Sequence, residues 1–279
     1  MKLLAPAKLT RTLRVLGTRP DGYHEVDIEA VHLAFGDELK LTPGSHTTLV
    51  VRADAPWINP CTIPVGRDNL VVRAMELAAV SCHVELAKRI PLAGGLGGGS
   101  TDAAAVLRAL GVPGRASAEL GSDVVLSLSG GRVRARGRGE QVEQLDDLEA
   151  TVTLLIPPFG VSTPAVYRAW DELGEPHDDE LANDLLPAAF AVEPQLKELW
   201  RAARSRTGTP PSLAGSGATL VWWCSLAELG LTPTDEVAGH PALRLELANV
   251  PVWCVESRTL PRRALDAERG SCIKPGALG

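Results

Sequence analysis

The sequence predicts an α+β fold built as one unit of two interlocked lobes. Three observations carry the prediction. The opening part alternates apolar and β-branched residues at strand period; an alanine-rich helical segment follows a glycine run directly; and strands and helices then succeed one another without a long linker or internal repeat. With 279 residues, 45% of them hydrophobic, the chain can bury a sizeable core.

The elements follow in order. Residues 3–16 read as a strand, closed by the turn Thr18-Arg-Pro-Asp-Gly22, in which Pro-Asp-Gly supplies the turn chemistry. Residues 25–42 and Thr47–Ala53 read as further strands. From Asp68 the period changes: Leu70, Ala74, Leu77 and Ala78 fall at helical spacing after an Asp-Asn start. His83–Ile90 is expected as a strand leading into the glycines, and Ala103–Leu110 as a helix with high propensity and no breaker. Ser122–Leu128 fits helix or strand. Gly130-Gly131 turns the chain into a strand at Arg132–Arg136, and Thr151–Ile156 is a strand stopped by Pro157-Pro158. Thr163–Leu173 and Glu193–Arg204 read as helices, and Ala218–Cys224 as a strand preceded by a second glycine motif, Ala214-Gly-Ser-Gly217. The expected division is residues 1–145 for a first lobe, 146–256 for a second, and a poorly ordered tail over 257–279.

A net charge of -6 argues against broad binding to a nucleic-acid backbone, which needs clustered Lys and Arg. No run approaches 18 apolar residues, so no membrane span is expected, and Lys8 and Arg11 interrupt the short apolar start. A cytoplasmic location is therefore expected. The five cysteines are far apart, with no Cys-x-x-Cys, and the six histidines lack metal-ligand spacing, so no metal site is predicted.

The chemistry centres on Gly94-Gly-Leu-Gly-Gly-Gly-Ser-Thr101. Phosphates need backbone N–H groups and a chain that can approach closely; glycine gives both, and a helix N-terminus adds its positive dipole end. A strand–glycine–helix order meets these needs. The hydroxyls of Ser100 and Thr101 are within reach of a phosphate oxygen or Mg²⁺. The run lacks the Lys that follows the last Gly of a Walker loop and does not fit the dinucleotide fingerprint. Nucleotide phosphate binding is thus favoured over a flexible linker.

The run Pro91-Leu-Ala-Gly-Gly-Leu-Gly-Gly-Gly-Ser-Thr-Asp102 resembles the central motif of the GHMP kinases. Ala5-Pro-Ala-Lys-Leu-Thr10 and Arg19-Pro-Asp-Gly-Tyr-His-Glu25 are similar to the opening of the branch that phosphorylates 4-diphosphocytidyl-2-C-methyl-D-erythritol. Asp68–Ala74, Lys88–Pro91, Leu120–Val124, Gly137–Glu140, Ser162–Tyr167, Asn183–Leu185 and Ala214–Gly217 agree in order, so the likeness covers roughly residues 3–225. It implies the two-lobed GHMP kinase fold, with an N-terminal lobe like domain 2 of ribosomal protein S5 and a ferredoxin-like C-terminal lobe. It also implies ATP with Mg²⁺ and a small cytidylated substrate.

By that resemblance Lys8 and Asp123 form the catalytic pair. Asn69, Lys88, Gly94, Gly95, Leu96, Gly97, Gly98, Gly99, Ser100 and Thr101 hold the nucleotide. Tyr23 stacks on the cytosine, His24 hydrogen-bonds its edge, and Tyr167 closes the other face with Thr163 near it. Gly215 and Ser216 buttress the substrate and the loop, and Asp102 caps the helix or helps with the metal. Without the resemblance, Asp123 would read as a turn or cap residue, Lys8 as a surface charge, and Trp222-Trp223 as core. Four features depart from the family, among them Asp123-Val-Val-Leu-Ser127 where the family has Asp-Val-Pro-Phe-Phe and a short segment before Lys88. Thr10 replaces an Asn expected near the methylerythritol hydroxyls, and only nine residues, Gly111–Glu119, connect the post-loop helix to Leu120. Two other readings stand beside the first: another GHMP kinase, of the homoserine or mevalonate type, and a diverged nucleotide binder without turnover. The base-stacking residues speak against the one, and the paired Lys8 and Asp123 against the other.

Overall fold

The computed structural model describes residues 1–112 and 117–266. Two long strands, β1 (Lys2–Thr18) and β2 (His24–Pro43), form an antiparallel hairpin through the Arg19–Tyr23 turn. With β3 (Thr48–Ala53), β4 (Cys82–Lys88), β5 (Arg132–Gly137) and β6 (Gln141–Gln144) they make a 6-stranded sheet. One end of β2 pairs with β4 and the other with β5, so its 20 residues are the spine of this lobe. Against one face pack α1 (Leu70–Leu77), α2 (Gly98–Ala109) and α3 (Ser122–Ser129). Ala103 to Ala109 of α2 are all buried, and the four alanines among them let the helix lie close to the sheet.

The second sheet is also 6-stranded: β7 (Thr151–Ile156), β8 (Ser212–Leu213), β9 (Leu220–Trp222), β10 (Asp235–Val237), β11 (His240–Leu247) and β12 (Val250–Arg258), in the order β10-β11-β12-β7-β9-β8. Helices α4 (Thr163–Glu172), α5 (Leu186–Val192) and α6 (Pro194–Thr207) accompany it. One hydrophobic cluster holds Leu13, Val26 and Ile28 of the first sheet together with Leu155, Leu220 and Cys254 of the second. The halves therefore share a core, which fixes the cleft between them.

Ser122–Leu128, left open between helix and strand, lies in the helix Ser122–Ser129. Two expectations need correction. The helix after the glycines starts at Gly98 rather than Ala103: Gly97, at φ 68°, sits at its N-cap, and packing outweighs the low helix propensity of glycine. The tail expected from residue 257 is built into the fold as far as 266. The Ser257 hydroxyl accepts from the Phe35 N–H at 3.0 Å, and Leu260 N–H donates to the His32 carbonyl at 2.7 Å. Leu265, in α7 (Arg263–Asp266), is buried against Gly130. The rest of that expectation lies outside the described residues. Residues 235–258, left unassigned by periodicity, supply three strands. Among the described residues no helix is long and apolar enough to cross a membrane.

Candidate active site

The cleft holds a cavity of about 510 Å³. Its floor is the glycine loop, Gly94 to Ser100, and its walls carry Lys8, Thr10, Asp123, Arg138, Thr163, Tyr167, Gly215 and Ser216. Helical bonding in α2 begins with Thr101 N–H to the Gly97 carbonyl at 2.9 Å. The N–H groups just before it are left without intrahelical acceptors, as an anion site requires.

The backbone geometry explains the glycines. A Cβ on Gly95, already at φ +78°, would lie 1.8 Å from the Ala214 carbonyl oxygen, and one on Gly215 would lie 2.8 Å from that of Gly95. The two glycine motifs therefore pack backbone against backbone, tied by Thr219 N–H to the Gly94 carbonyl at 3.2 Å. Asn183 holds the second motif from below. Its amide donates to the carbonyls of Leu213 at 2.9 Å and Gly215 at 2.7 Å. Beside it Asp184, buried, accepts from Arg14 at 2.7 Å and from Val15 N–H at 3.0 Å.

Lys8 enters the cavity from β1, where its N–H donates to the Leu96 carbonyl at 3.0 Å. Its Nζ lies 3.5 Å from Oδ2 of Asp123, in the first turn of α3. The lysine side chain is 8% exposed and the aspartate 46%, so the pair joins a desolvated cation to an open carboxylate. Thr10, two residues along β1, is buried on the cavity wall, and its Oγ1 has no hydrogen-bond partner among the described residues.

A second pocket of about 410 Å³ adjoins the first, sharing Val26, Arg138, Thr163 and Tyr167. Tyr23 reaches it from the β1–β2 turn, with the Arg138 guanidinium 4.8 Å from its ring centroid. Thr163, Tyr167 and Asp171, spaced by four on α4, face the same pocket. His24 lies against Tyr167, ring centroids 4.6 Å apart at 32°, and its Nε2 is 2.8 Å from Oδ1 of Asp171. Thr163 and Ser216 share a hydrogen bond at 2.6 Å. Burial, and next the Asp123 charge, push the Tyr167 phenol up, so it stays neutral.

Several expected residues stand elsewhere. Asn69 caps α1, accepting from Val71 N–H at 2.9 Å and donating to the Pro64 carbonyl at 2.8 Å, and does not line the cavity. Thr101 is buried and its hydroxyl donates to the Gly98 carbonyl at 2.9 Å, leaving Ser100 as the loop hydroxyl on the cavity. Lys88 lies beneath α2, its ammonium held by Asp37 and Asp102. Asp102 is thus bound to Lys88 rather than capping α2, and does not line the cavity. Sequence reasoning missed Arg138 and Asp171. The first sits inside the Gly137–Glu140 motif already noticed, and the second one turn after Tyr167, so both were findable.

Residues 69–131 match the family described as GHMP kinases N terminal domain. A 4-diphosphocytidyl-2-C-methyl-D-erythritol kinase of Paracoccus denitrificans is 39% identical over 277 residues, covering 93% of this chain and 97% of that one. One of Pelotomaculum thermopropionicum is 35% identical over 280 residues, covering 86% and 92%. A crystal structure of 4-(cytidine 5'-diphospho)-2C-methyl-D-erythritol kinase superposes with a TM-score of 0.69 at 28% identity, over 92% of this chain and 99% of that one. A crystal structure of mevalonate kinase, with a TM-score of 0.51 and 12% identity, is alike in fold alone.

Proposed function

Because the chain belongs to the family of 4-diphosphocytidyl-2-C-methyl-D-erythritol kinases, within the GHMP kinases, we propose that it carries out that family's reaction in the cytoplasm. The γ-phosphoryl group of ATP passes to the 2-hydroxyl of 4-diphosphocytidyl-2-C-methyl-D-erythritol, a step of non-mevalonate isoprenoid precursor synthesis. The observation that carries the reading is the Lys8–Asp123 pair, 3.5 Å apart, on the wall between the glycine floor and a pocket lined by Tyr23, His24 and Tyr167.

Phosphoryl transfer to an alcohol asks for positioning, charge neutralisation and a proton acceptor. The loop N–H groups of Gly98 to Ser100 hold the phosphates. Asp123 accepts the hydroxyl proton as the substrate oxygen bonds to the γ-phosphorus and the bond to the β-phosphate oxygen breaks, releasing ADP. Lys8, desolvated, stabilises the negative charge that develops on the oxygen. Thr10 Oγ1, buried and unpartnered, is free to hydrogen-bond an erythritol hydroxyl.

The cytosine stacks on Tyr23 while Tyr167 and His24 close the pocket, and Arg138, on the wall common to both pockets, faces the substrate diphosphate. Among the described residues no three His, Cys, Asp or Glu side chains gather to hold a metal. A magnesium ion fits this donor set when carried by the nucleotide phosphates, with Ser100 beside it, and would supply charge neutralisation. Purified protein given ATP, Mg²⁺ and the cytidylated alcohol should release ADP in step with substrate. No substrate-dependent ADP would overturn the reading.

A further inference from the structure

Beneath the phosphate loop lies a group of charges that the proposed reaction leaves unused. Lys88, at the end of β4, is 3% exposed; Asp37, on β2, is fully buried; Asp102, one turn into α2, is 2% exposed. The Lys88 ammonium hydrogen-bonds Oδ2 of Asp37 and lies 2.6 Å from Oδ2 of Asp102. The other oxygen of Asp37 accepts two backbone N–H groups, Arg89 at 2.5 Å and Ile90 at 2.8 Å. Those two residues lead directly into Pro91 and the glycine run. Asp37 thus grips the segment before the loop, Asp102 belongs to the helix after it, and Lys88 joins them. The fit is close: a Cβ on Gly98 would come within 2.9 Å of the lysine Nζ.

The electrostatics single out one member. Two ionised carboxylates around one ammonium would leave an uncompensated negative charge in a dry site, under a loop that must accept an anion. Asp37 has the donors that an ionised carboxylate needs. Asp102 does not, because its Oδ1 has no hydrogen-bond partner among the described residues. We propose that Lys88, Asp37 and Asp102 form an electrically neutral clamp that sets the spacing between the two ends of the phosphate loop, with Asp102 as its protonated member and Lys88 as a positioning residue that does not touch the nucleotide. Burial first, and the neighbouring Asp37, push the Asp102 carboxyl well above its usual range, while Lys88 opposes this. Against burial, the Asp102 and Asp37 charges hold Lys88 protonated. The clamp acts through the N–H groups it places and therefore bears on nucleotide affinity more than on the chemical step.

The inference rests on the nucleotide reading of the glycine loop, and the test separates the two. Calorimetry with Mg·ADP and steady-state kinetics are run on the wild type, Asp102→Ala and Asp102→Asn. The alanine variant should weaken ADP binding and raise the KM for ATP by about tenfold with a smaller change in kcat. The asparagine variant, neutral and of the same shape, should restore both to within about threefold of the wild type. The infrared spectrum should show a protonated-carboxyl band in the wild type that Asp102→Asn removes. A merely structural role would lower the folded fraction without moving the KM of the folded molecules. If the asparagine variant behaves like the alanine one, or the band is absent, the neutral clamp is wrong. If the alanine variant binds ADP as tightly as the wild type, the clamp does not position the loop. A wild type that binds no ADP would overturn the nucleotide reading and this inference with it.

Discussion

Asp123 is the residue on which the proposed chemistry turns, and its half-open carboxylate beside the buried Lys8 leads to a sharp expectation. Asp123→Ala should lose at least ~10²-fold in kcat, the scale of a positioned general base, with little change in the KM for ATP, as measured by single-turnover and steady-state assays. Asp171 should act differently. It touches His24 rather than any reacting atom, so Asp171→Ala should raise the KM for the cytidylated alcohol by about tenfold, the scale of one lost charge-assisted hydrogen bond, and leave kcat nearly unchanged. Lys8, Asp123, Tyr23 and Tyr167 were legible because motif strings named them. Lys88 and Asn69 were legible as residue types but not as positions. An ammonium near a phosphate loop and an ammonium locked beneath it have the same sequence; only the placement of Asp37, 51 residues away, distinguishes them.

At the scale of elements, the site depends on two glycine turns pressed together. Gly95→Ala should be among the most damaging single-methyl changes, since it adds both a strained φ and a clash with the Ala214 carbonyl. Nucleotide binding measured by calorimetry should be lost even if the protein folds. Asn183→Ala leaves two buried carbonyls without their donor and should lower stability by about 3 kcal/mol in urea unfolding. The hairpin, α1, α2, α4 and α6 followed from period and propensity. Strands β8, β10, β11 and β12 did not, because each gains its stability from neighbours across the sheet rather than from its own residues.

At the scale of the whole molecule, the shared core carries a pH dependence. His32, fully buried on β2, has its Nδ1 2.9 Å from the Gly131 carbonyl and no partner at Nε2 among the described residues. Burial, first, lowers it from 6.5 to about 4. The folded protein keeps the ring neutral while the unfolded chain takes up a proton, so this contribution is complete above pH 6.5 and is lost as the pH falls towards 4. The loss amounts to at most about 3 kcal/mol, and His32→Gln should flatten that part of the slope in urea unfolding curves measured across the range. The sequence by itself determined the α+β class and singled out the glycine run and the Lys8–Asp123 pair proposed for phosphate binding and catalysis, because propensity, hydrophobic period and short motifs are local properties of the chain. Only the tertiary structure decided that residues 257–266 belong to the fold, that Asp171 and Arg138 complete the second pocket, and that Lys88 lies beneath the loop. Each of these depends on contacts between residues far apart in the chain, and burial and charge pairing exist only once those residues have been brought together.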